Sequence, residues 1–185
     1  MLVIFICIII ITKTMENPTI NSLHHLLDYD VSKFICAEIE IKNSLPHWIE
    51  KASSFQLKTA LQKYLGFIDQ HVTKFEEFVD QEQMRVLNVN DPIMLTYIKE
   101  TEEKLSYCTN QEVKDACLLA CIQAINHYKI WAYGTAAAFA GVLELEKNGA
   151  MFHEAEINEK HIDDQLSQLA LYEINTKARS PIALP

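Results

Sequence analysis

Acidic side chains occur where the helical pattern of this sequence calls for hydrophobic ones. Glu38 stands one turn after Phe34 and about one turn before Ile41, so its carboxylate should point toward a buried face. The same anomaly recurs at three further acids, Asp69, Glu159 and Asp163. A lone buried carboxylate costs several kcal/mol, or else it takes up a proton. These acids therefore predict a shared cation or shared protons, unless individual side chains sit at the edge of the apolar stripe and reach solvent.

Long amphipathic helices must position these acids. Apolar residues recur at three-and-four spacing, and no proline interrupts residues 93–180. The predicted helices cover about 22–52 (bent or divided at Pro46), 54–83, 92–107, 110–147 (ended by Asn148-Gly149) and 150–175. Two long helical hairpins joined by one long crossover predict an all-α, ferritin-like four-helix bundle, with a short fifth helix in the crossover. The predicted core includes Leu65, Ile68, Ile122, Ile130, Ile162 and Leu166.

Composition excludes several classes of function. The 16 basic and 25 acidic residues give a formal charge of −9, which argues against a nucleic-acid partner because such binding needs clustered lysines and arginines. The four glycines are too far apart to form a phosphate-binding loop. Five cysteines without metal-finger spacing favour a reduced, cytoplasmic setting, with small buried side chains as the main interpretation and a redox role as the alternative.

The first eleven residues form an uninterrupted apolar run. The run is too short to span a membrane and lacks the basic start and cleavage site of a secretory signal. Met15 opens a normal polar segment, so residues 1–14 are interpreted as an extension that arises from a start site assigned too far upstream. A short hydrophobic anchor is the alternative, and it is the one case in which a membrane contact is expected. The domain prediction is therefore an extension at 1–14, a bundle at 15–178 and a tail at 179–185.

A set of short motifs extends from about Asn21 to Ala178: Ala37-Glu38, Leu45-Pro46, Glu50-Lys51-Ala52-Ser53, Leu57-Lys58, Glu112-Val113-Lys114-Asp115-Ala116, His127-Tyr128, Tyr133-Gly134-Thr135, Glu159-Lys160 and Asp163. With these motifs the chain resembles the ferritin-like proteins of the domain-of-unknown-function group typified by bacterial YciE and YciF. The resemblance implies a four-helix bundle with a short crossover helix and a connection to bacterial stress responses. It also implies the ligands of a two-metal carboxylate site.

The family's ligand pattern is only partly present. Under the resemblance, Glu38 matches the carboxylate of the first helix, and Glu159 and Asp163 match the acids of the fourth. The Glu-x-x-His pair of the second helix falls on Gly66 and Asp69, and the acids of the third fall on Asn126 and Lys129. Two divalent ions need about four carboxylates and usually two imidazoles. The predicted metal residues are therefore Glu38, Asp69, Glu159 and Asp163, with ligand positions lost at Gly66, Asn126 and Lys129.

Two cationic or neutral side chains change the charge balance of this site. His71 is either a metal ligand or a partly buried structural histidine, and it does not lie one turn from Asp69. Lys129 either faces solvent or turns inward, where its ammonium replaces the metal's charge beside Glu38 and Glu159. If the three acids Glu38, Glu159 and Asp163 share a metal-free pocket, their repulsion should raise at least one pKa. Glu38→Gln is then expected to be neutral or stabilising at neutral pH.

Two functions are compatible with these observations. The missing ligands favour a structural or binding stress protein, with a decayed metal site, no bound cofactor and a homodimeric state. The alternative is an oxidoreductase or peroxide-consuming enzyme that holds iron or manganese.

Overall fold

The computed structural model describes residues 19–82, 87 and 89–179, so the extension predicted at 1–14 lies outside the described residues. The helices are α1 (Leu23–Lys51), α2 (Phe55–Glu82), α3 (Pro92–Tyr107), α4 (Gln111–Val142) and α5 (Glu146–Leu169), and α5 continues through a π-helical segment (Ala170–Ile174) into α6 (Asn175–Ala178). No strand occurs within these described ranges. The all-α prediction is confirmed.

Local sequence signals fix where three of the helices begin. The Ser22 side chain accepts a hydrogen bond from the backbone of His25, and Asn110 caps α4 in the same way. Asp91 accepts from two backbone N–H groups at 3.0 Å, directly before Pro92 at the first helical position. These oxygens satisfy donors that have no partner within the helix, so each boundary is set by its own side chain.

The helices pack as two hairpins. α1 packs on α2, α4 packs on α5, and the hairpins meet where α2 contacts α5 and α1 contacts α4. α3 lies in the crossover and packs on α4 and α1. This confirms a four-helix bundle with a short helix in the connection. In the described part of the chain, no helix is long and apolar enough to cross a membrane.

Two predicted helix ends are not found: the division of α1 at Pro46 and the end of a helix at Asn148-Gly149. α1 runs without division through Pro46. The second hairpin turns at residues 143–145, where Glu144 adopts a left-handed φ of 58°, and Asn148-Gly149 lies inside α5. The position of a Cβ on Gly149 lies 3.7 Å from the Cβ of Ala140. The glycine therefore serves the close approach of α5 to α4, and it does not end a helix.

Two hydrophobic clusters occupy the bundle interior. The larger includes Leu45, Leu61, Ile68, Ile122 and Leu166, and the smaller includes Val31, Phe34, Phe75, Tyr133 and Phe152. Four of the six predicted core residues are fully buried, but Leu65 and Ile130 are only partly buried. Ile130 is only partly buried because α4 is rotated so that its neighbour Lys129 faces the interior.

Candidate functional site

A layer of polar side chains separates the two hydrophobic clusters. Each of the four long helices contributes one residue: Glu38 from α1, His71 from α2, Lys129 from α4 and Glu159 from α5. All four are at most 3% exposed. Residues about one turn to either side belong to different clusters, as Ile68 and Phe75 do around His71. The layer is thus a charged cross-section in an otherwise apolar bundle.

Lys129 is the centre of this layer. Its ammonium nitrogen lies 3.0 Å from Glu38 Oε2 and 2.6 Å from Glu159 Oε1. It also lies 4.7 Å from the centroid of the Tyr64 ring, a cation–π contact. One buried cation therefore bridges two buried carboxylates from different helices.

His71 and Tyr133 bind the second oxygen of Glu38. The Tyr133 hydroxyl donates a hydrogen bond to Glu38 Oε1, and His71 Nδ1 lies 3.1 Å from the same oxygen. An ionised carboxylate only accepts, so Nδ1 carries the proton. On the other side of the ring, Nε2 lies 3.4 Å from the side-chain nitrogen of Asn158, which suits an acceptor.

Asn126 holds the other carboxylate. Its side-chain nitrogen donates to Glu159 Oε2 at 2.7 Å and to the Glu159 backbone carbonyl at 3.0 Å. The amide therefore fixes the orientation of the Glu159 side chain. It also fixes the position of α5 along the axis of α4 at this level of the bundle. Tyr64 closes this side of the layer, and burial, followed by the charges of Glu159 and Glu38, raises the pKa of its hydroxyl far above 10.

The neighbouring groups favour the ionised forms of Glu38 and Lys129. Burial opposes ionisation of Glu38, but Lys129 and the contacts with His71 and Tyr133 outweigh it and lower its pKa to about 2. Burial likewise opposes the charge on Lys129, yet Glu159 and Glu38 raise its pKa above the ordinary value. The pair Glu38–Lys129 is therefore ionic at neutral pH.

Glu159 responds in the opposite direction. Burial raises its pKa, the charge of Glu38 adds to the effect, and Lys129 compensates only in part. A single ammonium cannot fully neutralise two buried carboxylates. A raised pKa was expected for one of the clustered acids, and the structure assigns it to Glu159.

We predict that Glu38→Gln destabilises the protein at neutral pH by on the order of 3 kcal/mol, because the pKa of Glu38 falls from an ordinary 4.5 to about 2. This reverses the expectation drawn from the sequence. A lowered pKa contributes stability that is present above pH 4.5 and is lost as the pH falls toward 2. Urea unfolding across this range should therefore show a steeper acid loss in the unmodified protein than in the variant.

Glu159→Gln is the matched comparison. Stability linked to a raised pKa is present below the ordinary value and is lost as the pH rises through the raised one. Glu159→Gln should therefore lower the free energy of unfolding at pH 7 by less than Glu38→Gln does. An equal or larger loss of stability in Glu159→Gln would contradict the lowered pKa of Glu38 and the raised pKa of Glu159.

The structure does not bring two of the predicted metal residues to the layer. Asp69 is exposed on α2 and pairs with Lys42 at 2.8 Å. Asp163 is partly exposed on α5 and lies 2.8 Å from His127 Nε2, so this histidine has a partner that the sequence did not reveal. Both acids lie at the edge of their stripes, the alternative left open by the pattern.

The register of α2 also differs from the one inferred from the resemblance. Gly66 is exposed, whereas Ile68 and His71 are buried and stand three residues apart. On α4, Asn126 and Lys129 repeat this spacing. In two-metal carboxylate bundles, two helices each give one Glu and two helices each give a Glu-x-x-His pair. The position of the pair on α2 therefore corresponds to Ile68/His71, and Asn126/Lys129 on α4 has the spacing of a second pair.

A two-metal centre does not fit these residues. Ile68 offers no ligand atom, Asn126 has no charge, and the Lys129 ammonium occupies the space between the carboxylates that a cation would need. A three-ligand group remains, because atoms of Glu38, His71 and Glu159 all lie within 4.8 Å of one another. That group can hold one ion only after Lys129 moves away.

Access to the layer is narrow. A crevice lined by His71, Lys74, Phe75, Met151 and Ala155 has a volume of about 10 Å³, close to that of one water molecule. It leads to the imidazole and offers no room for an organic substrate. The layer can hold charge and protons, but this crevice does not form a substrate pocket.

The fold and its charged layer define an all-helical bundle protein in which one buried, ionisable side chain from each long helix meets the others in a single layer. A family profile described as "Domain of unknown function (DUF892)" matches residues 22–179, and the chain belongs to this family. It is 28% identical over 169 residues to protein YciF of Escherichia coli (strain K12), covering 91% of this chain and 97% of YciF.

Two solved structures share the fold. YcfI from Rhodopseudomonas palustris superposes with a TM-score of 0.80 at 26% identity, over 85% of this chain and 100% of that one. The crystal structure of the E. coli stress protein YciF gives a TM-score of 0.79 at 25% identity, over 84% and 99% of the two chains. The family suggested by the sequence motifs is thereby confirmed.

Proposed function

We propose that this protein is a structural or binding member of the stress-associated YciF-like bundles, and that it works without a metal ion. The observation that carries the proposal is the position of Lys129, at 3.0 and 2.6 Å from the two carboxylates. Its ammonium supplies the positive charge that a metal ion gives to a carboxylate bundle. The link to stress comes from the similarity to YciF, a stress protein of E. coli.

The charged layer then serves to fix the bundle. It ties α1, α2, α4 and α5 together through oriented contacts, which a purely apolar core does not provide. Buried ion pairs seldom add net stability, but polar contacts of this kind can select one register of packing. The expected role of the molecule lies in its outer surface, where a partner or ligand binds, and the layer holds that surface in shape.

Iron oxidation tests this proposal. Fe(II) is added in air to the protein purified without chelator, and the appearance of Fe(III) is followed by absorbance. We expect the rate with the unmodified protein, and with the surface variant Lys42→Ala at the same concentration, to equal the rate in buffer alone. A protein-dependent acceleration that disappears in Glu38→Gln would overturn the metal-free function.

The second candidate is an iron- or manganese-dependent oxidoreductase that consumes peroxide. The observation that favours it is the Glu38, His71 and Glu159 group, whose ligand atoms lie within 4.8 Å of one another. Those residues would hold the ion, and the ion would supply redox chemistry. Peroxide loss that requires added Fe(II) or Mn(II), and that fails in His71→Ala, would establish this candidate.

A homodimer in the cytoplasm completes the proposal. Large apolar side chains are exposed on the described surface, including Phe55, Trp131, Leu171 and Tyr172. Exposed apolar groups favour association when they form a patch. Cys108, Cys117 and Cys121 are thiols that form no disulfide, which suits a reducing compartment. Light scattering after gel filtration should give twice the chain mass of 21.2 kDa, and a monomer would contradict the dimer.

A further inference from the structure

Three cysteines meet where the crossover helix joins α4. Cys108 ends α3, and Cys117 and Cys121 stand one turn apart on α4. The Cys117 thiol is within hydrogen-bonding reach of the thiols of both Cys108 and Cys121. All three are free and partly exposed. This thiol cluster lies apart from the charged layer, and neither proposed function uses it.

A pocket opens onto Cys117 and Cys121, the two thiols of the cluster that lie on α4. It has a volume of about 220 Å³, and its walls include Tyr97, Glu100, Thr101, Cys117 and Cys121. The Lys104 ammonium, paired with Glu100 at 2.6 Å, lies near both thiols of α4. The pocket is large enough to admit a small hydroperoxide, and the lysine provides a positive charge beside the sulfur atoms.

Geometry distinguishes the possible cross-links. A disulfide needs Cβ atoms about 3.5–4.5 Å apart. Residues at i and i+4 of a helix, such as Cys117 and Cys121, have Cβ atoms about 5–6 Å apart, so this pair is unsuitable without distortion of α4. Cys108 follows α3 and Cys117 lies on α4, so the distance between their Cβ atoms is not set by the geometry of one helix.

We propose that Cys108 and Cys117 are a site of oxidative modification that forms a disulfide when the protein meets a hydroperoxide. In the first step one thiol is oxidised: Cys–SH + ROOH gives Cys–SOH + ROH. In the second step the other sulfur attacks the sulfenic acid: Cys–SOH + HS–Cys gives Cys–S–S–Cys + H₂O. The peroxide O–O bond is reduced, and the two thiols supply both electrons and both protons.

The environment assigns a role to each sulfur. Burial and the neighbouring thiols raise the pKa of Cys117 to about 12, so it is a neutral thiol at pH 7. The thiolate is the form that reacts with peroxide. Cys117 is therefore the thiol that closes the disulfide, by attacking the sulfenic acid of its partner. The bond closes the short loop between α3 and α4 and fixes the crossover helix to the bundle.

The test uses the full-length protein, reduced and then exposed to tert-butyl hydroperoxide. After remaining thiols are alkylated, trypsin should release Leu105–Lys114 joined to Asp115–Lys129. The mass of this product should equal the sum of the two reduced peptides minus two hydrogens, plus the one alkyl group that Cys121 takes up. Cys121→Ser and Cys36→Ser should form this cross-link as the unmodified protein does. Cys108→Ser and Cys117→Ser should lose it.

A second measurement reports the effect on the fold. The oxidised protein should melt at a higher temperature than the reduced one, and dithiothreitol should reverse the shift, because the bond restricts the unfolded chain. Persistence of the cross-link in Cys117→Ser would overturn the proposal, since the bond would then join Cys108 to Cys121. A disulfide confined to Asp115–Lys129, or oxidation that stops at sulfinic acid, would overturn it as well.

Discussion

Replacing Lys129 with alanine should lower the free energy of unfolding at pH 7 by about 3–5 kcal/mol in metal-free buffer. The substitution removes the ammonium that lies 3.0 Å from Glu38 and 2.6 Å from Glu159, so two buried carboxylates face each other without a cation. One of them must then take up a proton or pay for its charge in a low-dielectric interior. Urea denaturation followed by circular dichroism measures this loss.

Lys42→Ala is the matched control, because it removes a lysine from an ion pair on the surface instead of one in the interior. Lys42 pairs with Asp69 at 2.8 Å, but its side chain is 40% exposed. Solvent-exposed pairs contribute about 0–1 kcal/mol, so this variant should remain close to the unmodified protein. Similar small losses in both variants would show that the buried bridge does not hold the layer together.

A complete set of metal ligands should restore metal binding. Ile68→Glu, Asn126→Glu and Lys129→His together give one Glu on each of two helices and a Glu-x-x-His pair on each of the others. With the ammonium removed and two carboxylates added, the layer offers four acids and two imidazoles. We expect this triple variant to bind two Mn(II) or Fe(II) ions per chain, measured by isothermal titration and elemental analysis.

The double variant Ile68→Glu/Asn126→Glu, which keeps Lys129, is the matched control. Its ammonium still lies between the carboxylates, so it should bind fewer ions than the triple variant. Circular dichroism and a thermal melt establish that each variant is folded before the titration. A folded triple variant that binds no metal would contradict the register in which Ile68 and His71 replace the Glu-x-x-His pair.

The sequence alone predicts the helices and two members of the layer. The periodicity of the apolar residues is long and regular, so the bundle follows from it directly. Glu38 and Glu159 stand in the middle of their stripes, with hydrophobic residues on both sides, and they are buried as expected. A central position in a stripe is therefore a reliable signal of burial for these acids.

The other members depend on helix rotation, which the pattern defines less sharply. An apolar stripe is 100° or more in width, and one residue turns the helix by about 100°. Lys129 and Ile130 are neighbours on α4, and packing against Glu38 and Glu159 selects the lysine for the interior. The sequence leaves that choice open because the partners lie on other helices.

The same reasoning explains Asp69 and His71. The two positions are about 200° apart on α2, so only one of them can face the core. His71 shares a face with Ile68 and Phe75, at spacings of three and four residues, and this signal was present in the sequence. The hydrophobic neighbours of Asp69 and the assumed ligand register favoured Asp69, which the structure places on the surface beside Lys42.

The metal content of the full-length protein tests the replacement of a metal ion by Lys129 most directly. The protein is purified without chelator from cells grown with added iron and manganese, and elemental analysis gives the ions per chain. We predict far less than one tightly bound transition metal per chain, because the ammonium already occupies the space between Glu38 and Glu159. One or more ions per chain, lost in Glu38→Gln, would contradict the replacement and favour the metal-dependent enzyme.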